Sequence, residues 1–198
     1  DAEDQGYDYG PGISGWDWCE GSDKFVEDIE SFYNKTLESF DAMILLDMVG
    51  GVNLQFINEQ YSTSSLLEEL FEVGRQLGYI SQFPNNPEVR SIRDDHVAFV
   101  NYGIPSADLI INFWNNPAWP YHHTVNDDIT AISASSLEVT GKTVEQFIYN
   151  HYFNNNNTDF GNYPWTNDNN LLDTDIVTLI MILGVIFVGI IIFFFIRS

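Results

Sequence analysis

The chain has 198 residues, of which 44% are hydrophobic and 15% aromatic, enough for one domain with a buried core and a short appendage. Its formal net charge is −22 at pH 7, and so acidic a surface repels phosphates, which excludes nucleic acid as an expected partner. Cys19 is the only cysteine, which excludes an intrachain disulfide and predicts a buried thiol, so a metal site is expected to rest on His, Asp and Glu.

The first half of the chain predicts two helices and one strand. Residues 5–21 indicate a loop, and a helix is expected from an N-cap at Ser22 to about residue 39. The apolar face of that helix consists of Phe25, Ile29, Phe32, Tyr33 and Leu37. The unbroken apolar run 42–46 is typical of a strand buried on both faces, and Asp47 follows it directly. A second helix is expected from Ser64 or Ser65 to Leu77, with Gly78 closing it.

The second half predicts another buried strand at 107–111 and a long helix capped by Ser133. The core positions of that helix are Leu137, Val144, Phe147 and Ile148. Strands that alternate with helices predict an α/β fold with a mostly parallel mixed sheet flanked by helices. In such sheets, functional sites form at the carboxyl ends of the strands.

The C-terminal residues predict a membrane anchor. Residues 154–173 are rich in Asn and Asp and indicate a linker, so the domain is expected to occupy 1–153 and the anchor 174–198. From Ile176 to Ile196 the 21 residues are apolar apart from one Thr and two Gly, and as a helix of roughly 31 Å they would span a bilayer. Arg197 beyond this span predicts a cytoplasmic C-terminus and an extracytoplasmic domain. Sequons at Asn34 and Asn156 add the expectation of a glycoprotein.

Four polar clusters carry candidate chemistry. They are Asp1-Ala2-Glu3-Asp4, Asp47 after its strand, Asp94-Asp95-His96, and Tyr121-His122-His123-Thr124 followed by Asp127-Asp128. Each alone is a weak signal, because acidic turns are usually solvated and adjacent histidines are often exposed. Together they supply the carboxylates and imidazoles that hold catalytic zinc. A Glu beside a metal-binding acid also provides the base that a water-activating site requires.

The order of these clusters resembles the later, C-terminal half of the zinc aminopeptidase and glutaminyl cyclase family, peptidase family M28. The matching motifs are Asp1-Ala2-Glu3-Asp4-Gln5-Gly6, Gly15-Trp16-Asp17-Trp18 with Gly21-Ser22, Leu46-Asp47-Met48, Asp95-His96-Val97-Ala98-Phe99 with Gly103-Ile104-Pro105, and Trp119-Pro120-Tyr121-His122-His123-Thr124. The resemblance covers about residues 1–150, with order and spacing preserved, and implies a zinc exopeptidase-like fold.

The resemblance also implies roles for individual residues. Glu3 resembles the family's general base and Asp4 a metal ligand, with Asp where the family often has Glu. Asp47 resembles the carboxylate ligand of the other metal, and His123 the final imidazole ligand. Among the neighbouring residues, Tyr121, His122, Asp95 and His96 resemble residues that line the substrate pocket or support the ligands.

One departure from the family pattern limits what the chain is expected to do alone. The family takes a further His and a metal-bridging Asp from upstream of the Glu-Asp pair, and nothing in this sequence precedes Asp1. The site and the N-terminal side of the sheet are therefore expected to be incomplete, with unpaired edges on the strand that precedes Asp47. We expect the sequence to be part of a longer polypeptide, to need that upstream half as a partner, and to be inactive alone.

The leading hypothesis is a membrane-anchored, extracytoplasmic aminopeptidase-type exopeptidase that uses two zinc ions on peptides with a free N-terminus. A glutaminyl cyclase with one zinc is the nearest alternative. In that enzyme Asp47 would relay protons, and Asp94-Asp95 ahead of His96 resembles the cyclase arrangement, whereas Trp119-Pro120-Tyr121 resembles the peptidases. A third alternative is a catalytically inactive domain of the same fold that serves adhesion or assembly at the cell surface.

Overall fold

The computed structural model describes residues 12–38, 40–114 and 116–153, and they belong to one compact unit. The helices are α1 (Glu20–Glu27), α2 (Ser64–Gln76), α3 (His96–Tyr102) and α4 (Ala134–Tyr152), with 3₁₀ turns at Ile29–Ser31 and Ile129–Ala131. The strands are β1 (Met43–Asp47), β2 (Asn58–Glu59), β3 (Val89–Arg90) and β4 (Ser106–Ile110). The expected linker at 154–173, the span from Ile176 to Ile196 and the sequon at Asn156 lie outside the described residues.

Two parallel strand pairs form the centre of the fold. β1 pairs with β4 in the register Met43↔Ser106 to Asp47↔Ile110, and the shorter β2 pairs with β3. The mixed α/β class with parallel strands is therefore confirmed. In the part of the chain that the structure describes, no helix combines the length and the apolarity that crossing a membrane requires.

The main hydrophobic core lies between the β1–β4 pair and the helices α2 and α4. Its centre contains Phe56 and Phe83, whose ring centroids are 4.7 Å apart, and Phe71, whose ring meets that of Phe83 edge-on at 5.3 Å. Burial of each such ring stabilises the fold by about 1.5–3 kcal/mol. Leu109 of β4 also joins this core, so Asp108 beside it faces the opposite side of the strand, where α3 packs.

The first predicted helix is much shorter than expected. It begins at Glu20 and ends at Glu27, after which the chain forms a 3₁₀ turn. The side chain of Asn34 accepts hydrogen bonds from the backbone N–H and hydroxyl of Thr36, a local turn that competes with helix continuation. The predicted apolar face is correspondingly wrong in part, because Ile29 is buried whereas Phe32 and Leu37 are 55% and 82% exposed.

The other predicted elements are confirmed with small shifts, but the prediction that β1 is buried on both faces is wrong, because its residues are only half-buried and Leu46 is exposed. α2 begins at Ser64, and Gly78 follows it with a left-handed φ of 89° that other residues rarely adopt. Ser133 caps α4 by accepting a hydrogen bond from the N–H of Ser136. Of the predicted core positions of α4, Leu137 and Ile148 are exposed.

Candidate functional site

Asp47 is the last residue of β1, at the carboxyl end of the parallel pair. Burial, followed by the charge of Asp94, raises the pKa of its carboxyl to about 6, against an opposing hydrogen bond from the N–H of Met48. Asp95 and Asp127 also act on it in the raising direction. Asp47 is thus a partly buried carboxylate held among other acids, a setting that a bound cation would stabilise.

Asp94 and Asp95 form the turn that leads into α3. Asp94 is buried, and its Oδ1 accepts a hydrogen bond of 2.7 Å from the N–H of Asp95. Burial raises the pKa of Asp94, the hydrogen bond from Asp95 opposes that rise, and the charge of Asp95 adds to it. The two carboxyl groups therefore face a region that is already crowded with negative charge.

His96, at the start of α3, is fully buried and its Nε2 lies 2.9 Å from Oε2 of Glu59. Glu59 also accepts hydrogen bonds from the backbone N–H groups of Tyr61, Ser62 and Ile92. Burial raises the pKa of Glu59, but the hydrogen bonds from His96 and these N–H groups hold it below its ordinary value. His96 thus lies in the interior beside Glu59, a residue that the sequence analysis missed.

Asp108 is the second acid that the sequence analysis missed. It sits in the middle of β4, is fully buried, and neither of its carboxylate oxygens has a hydrogen-bond partner among the described residues. Burial raises the pKa of Asp108 well above its usual range, and the charges of Asp94 and Asp47 add to the rise. The signal that could have found it is a single acid within the otherwise apolar strand at 107–111.

The loop after β4 carries the two histidines. The rings of His122 and His123 stack with centroids 3.8 Å apart, and the ring of Phe113 lies 4.2 Å from that of His122. Burial lowers the pKa of His122, and the charge of His123 lowers it further, whereas Asp127 opposes both. His123 has a left-handed φ of 55° and an exposed side chain. Since the charge of Asp127 also acts on Asp47, this loop lies near the end of β1.

Tyr121 precedes the histidines and packs against the core. Its ring meets that of Trp119 edge-on, with centroids 5.8 Å apart, and its carbonyl accepts hydrogen bonds from the N–H and hydroxyl of Thr124. These bonds close the turn in which His122 and His123 lie. A cleft of ≈ 620 Å³ adjoins this turn at His122, and a second cleft of ≈ 420 Å³ beside Arg90 shares Phe113 and Trp114 with it.

The predicted site residues are therefore brought together only in part. Glu3 and Asp4 lie outside the described residues. Asp47, Asp95 and the histidine loop lie around the carboxyl ends of β1 and β4, whereas His96 is turned into the interior. Carboxylate and imidazole donors of this kind fit zinc, and the buried, unpartnered oxygens of Asp108 agree with a cation in this region.

Comparison with known proteins gives a family match. Residues 1–148 match the model of Peptidase family M28. The glutaminyl-peptide cyclotransferase of Dictyostelium discoideum is 32% identical over 126 residues, which cover 60% of this chain and 32% of that protein.

Solved structures are similar over the same region. The glutaminyl cyclase of Bacteroides thetaiotaomicron, solved with N-acetylhistamine bound, superimposes with a TM-score of 0.64 at 30% identity, covering 76% of this chain and 52% of that one. A Zn-dependent exopeptidase from Parabacteroides distasonis gives a TM-score of 0.62 at 31% identity, with 76% and 52% covered. The chain spans about half the length of these two proteins and about a third of the Dictyostelium protein.

Proposed function

Because this chain belongs to peptidase family M28, we propose that the protein of which it is part is a zinc-dependent exopeptidase that removes N-terminal residues from peptides. Membership in the family was inferred from the sequence motifs and is confirmed. Zinc as the metal is supported by the Zn-dependent exopeptidase neighbour, whereas two ions per site belong to the proposal.

The proposed metal ligands are Asp4, Asp47 and His123, completed by a His and an Asp from the upstream half of the domain. Bound zinc would supply a Lewis acid for the scissile carbonyl and for the attacking water. Glu3 would take the proton of that water and return it to the leaving amine, as a general base and then a general acid. Tyr121 and His122 would face the substrate beside the clefts that Phe113 and Trp114 line.

The observation that carries the proposal is the gathering of carboxylates around the end of β1. The charges of Asp94, Asp95 and Asp127 all act on Asp47. Such a field attracts the protonated amino terminus of a peptide and positions its first peptide bond beside the metal ligands. The adjoining apolar clefts would accept the side chains next to that bond.

We also propose that the domain is tethered on the extracytoplasmic side of a membrane by the span from Ile176 to Ile196. The apolar length of this segment and Arg197 after it support the proposal. The acidic composition is suited to an extracellular surface, and the sequon at Asn34 lies on an exposed residue.

The test is Glu3→Gln in the full-length protein. Hydrolysis of aminoacyl substrates should fall by about 10²–10⁴-fold while bound zinc, measured by atomic emission, stays unchanged. Glu145→Gln is the matched control, because this glutamate is exposed on α4. Undiminished hydrolysis in Glu3→Gln would refute the mechanism, and a wild-type protein without bound zinc or hydrolysis would support an inactive assembly domain.

Glutaminyl cyclisation is the second candidate, and one observation favours it. The raised pKa of Asp47, about 6, suits a group that exchanges protons near neutral pH. A peptide that begins with Gln separates the two reactions in mass spectrometry, because cyclisation removes ammonia whereas the exopeptidase removes the whole residue. One zinc per chain together with ammonia loss would replace the exopeptidase proposal.

A further inference from the structure

A second cluster of metal-ligating groups lies next to the proposed catalytic centre. The ligand atoms of Cys19, Asp94 and Asp95 all lie within 4.8 Å of one another, and no other group of three is as close among residues 12–38, 40–114 and 116–153. Cys19 and Asp94 are buried, and Asp95 is partly exposed. A chain with one cysteine was expected to hold metal through His, Asp and Glu alone, but a single thiol can share a cation with carboxylates.

The two segments that bring these groups together are tied to each other. The indole N–H of Trp18 donates a hydrogen bond of 2.9 Å to the carbonyl of Arg93. The guanidinium of Arg93 reaches back to Asp23 at 3.3 Å and to Asp17 at 3.9 Å. Trp18 and Asp23, on either side of Cys19, therefore both contact Arg93, which directly precedes Asp94. These contacts keep the thiol beside the two carboxylates.

Hydrogen bonds to Glu59 also fix the turn that carries the two carboxylates. The N–H of Ile92 donates to Oε1 of Glu59 at 2.9 Å, and Nε2 of His96 lies 2.9 Å from Oε2 of the same carboxylate. Asp94 and Asp95 thus lie in the chain between Ile92 and His96, and the buried carboxylate of Glu59 contacts both of these residues. Such support orients ligands before a metal arrives and lowers the entropy lost on binding.

Asp108 supplies an independent observation that points to a cation. Both of its carboxylate oxygens are buried and have no hydrogen-bond partner within the described part of the chain. By the alternation of β4, its side chain faces α3, and Asp94 is the charged neighbour that acts on it most strongly. The charged groups that act on Asp108 are all carboxylates, so its buried carboxyl can ionise only if a cation binds nearby.

We propose that Cys19, Asp94 and Asp95 form a second cation site, with Asp108 behind them, that binds a thiophilic divalent ion such as Zn²⁺. The thiol would release its proton to solvent as the sulfur binds the metal. Zinc bonds of about 2.0–2.3 Å place neighbouring ligands of a tetrahedron about 3.3–3.8 Å apart, so the three groups need to approach by about 1 Å. A thiolate among carboxylates selects Zn²⁺ over Mg²⁺ and Ca²⁺, which prefer oxygen ligands alone.

The test uses Co²⁺ as a spectroscopic substitute for zinc in the metal-free, full-length protein. The wild-type protein should develop the near-ultraviolet charge-transfer band of a cobalt–thiolate bond. Cys19→Ser should abolish the band and lower the amount of bound Co²⁺ by a single ion per chain, and Asp95→Asn should weaken this binding by about tenfold or more. Glu27→Gln, which removes an exposed acid of α1 that pairs with Lys24 and takes no part in these contacts, should leave the band unchanged.

The outcomes separate this site from the proposed catalytic centre, whose ligands contain no sulfur. Saturating Co²⁺ without a charge-transfer band in the wild-type protein would overturn the second site, and this measurement requires no variant to fold. A band that persists at full affinity in Asp95→Asn and in Asp94→Asn would overturn it as well. A band without any peptide hydrolysis would support the second site while refuting the exopeptidase proposal.

Discussion

Nε2 of His96 lies 2.9 Å from Oε2 of Glu59, and neither side chain is exposed to solvent. The same contact occurs on the surface, where Nε2 of His151 lies 2.9 Å from Oε1 of Glu69 with side chains 44% and 48% exposed. The two pairs therefore combine the same residue types at the same distance in opposite environments. Comparing them shows what burial, together with the N–H groups that also donate to Glu59, adds to one interaction.

Removing Glu59 is expected to cost far more stability than removing Glu69. Glu59→Ala would leave His96 and the N–H groups of Ile92, Tyr61 and Ser62 buried without their acceptor, at a cost of about 3–5 kcal/mol. Glu69→Ala should change the free energy of unfolding by at most about 1 kcal/mol, because water screens an exposed pair. Urea unfolding measures both values, and equal losses would contradict the role assigned to burial.

The stability of the metal-free protein is expected to fall as pH rises from about 4 to about 6, because the pKa of Asp47 is about 6 in the folded protein and 3.8 in the unfolded chain. Between these values the folded state binds more protons than the unfolded state. The loss is of order 2 kcal/mol for this group, and Asp108 acts in the same direction.

Urea unfolding in the presence of a chelator, at several pH values, measures this dependence. Asp47→Asn cannot ionise and should flatten the curve, leaving the share of Asp108. Added zinc should restore stability at the higher pH, because cation binding favours the ionised carboxylates. A curve for Asp47→Asn identical to that of the wild-type protein would refute the assignment.

Gly51 is expected to tolerate no side chain. A Cβ at this position would lie 2.5 Å from Nε1 of Trp119 and 2.7 Å from Cδ1 of Ile111, so Gly51→Ala should destabilise the fold by about 1–3 kcal/mol. Gly141 in α4 is the matched control, since a Cβ there meets nothing within 4 Å. Gly141→Ala should stabilise the protein by about 0.5–1 kcal/mol through helix propensity. Thermal unfolding of both variants checks the opposite signs.

Removal of residues 174–198 is expected to convert the full-length protein from a membrane-bound to a soluble form. The apolar segment from Ile176 to Ile196 should resist alkaline carbonate extraction, and its deletion should release the domain. If the domain is extracytoplasmic, Asn34→Gln should also remove a glycosidase-sensitive shift in gel mobility. Carbonate extraction of the intact protein into the soluble fraction would contradict the anchor.

The elements that the sequence predicted well are those specified by strong local signals. Ser133 is recognisable in the sequence as an N-cap and caps α4 in the structure. The apolar runs around β1 and β4 leave little alternative to strands, although only β4 is buried along its whole length. α3 was not predicted, because the run His96–Tyr102 is too short to display a helical period. The early end of α1 depends on the turn at Asn34, where a local hydrogen bond outweighs the apolar spacing.

The site was predictable only where a motif marked it. Asp47 and the histidine loop follow strands or recognisable motifs, so their placement at one edge of the sheet could be expected. No motif identifies Glu59 or Asp108 in the sequence, because the burial of a single acid depends on segments distant in the chain. Ser62 shows this dependence, since its hydroxyl accepts from the N–H of Asp108 and donates to Glu59.

The position of β1 has a consequence for handling the protein. β1 pairs with β4 along one edge, no other described strand lies along its second edge, and Leu46 is 45% exposed. Residues 42–46 are apolar and contain neither a charge nor a proline, the features of a segment that recruits strands from other molecules. Residues 12–153 produced by themselves are therefore expected to aggregate through this edge, and Leu46→Lys should keep them in solution.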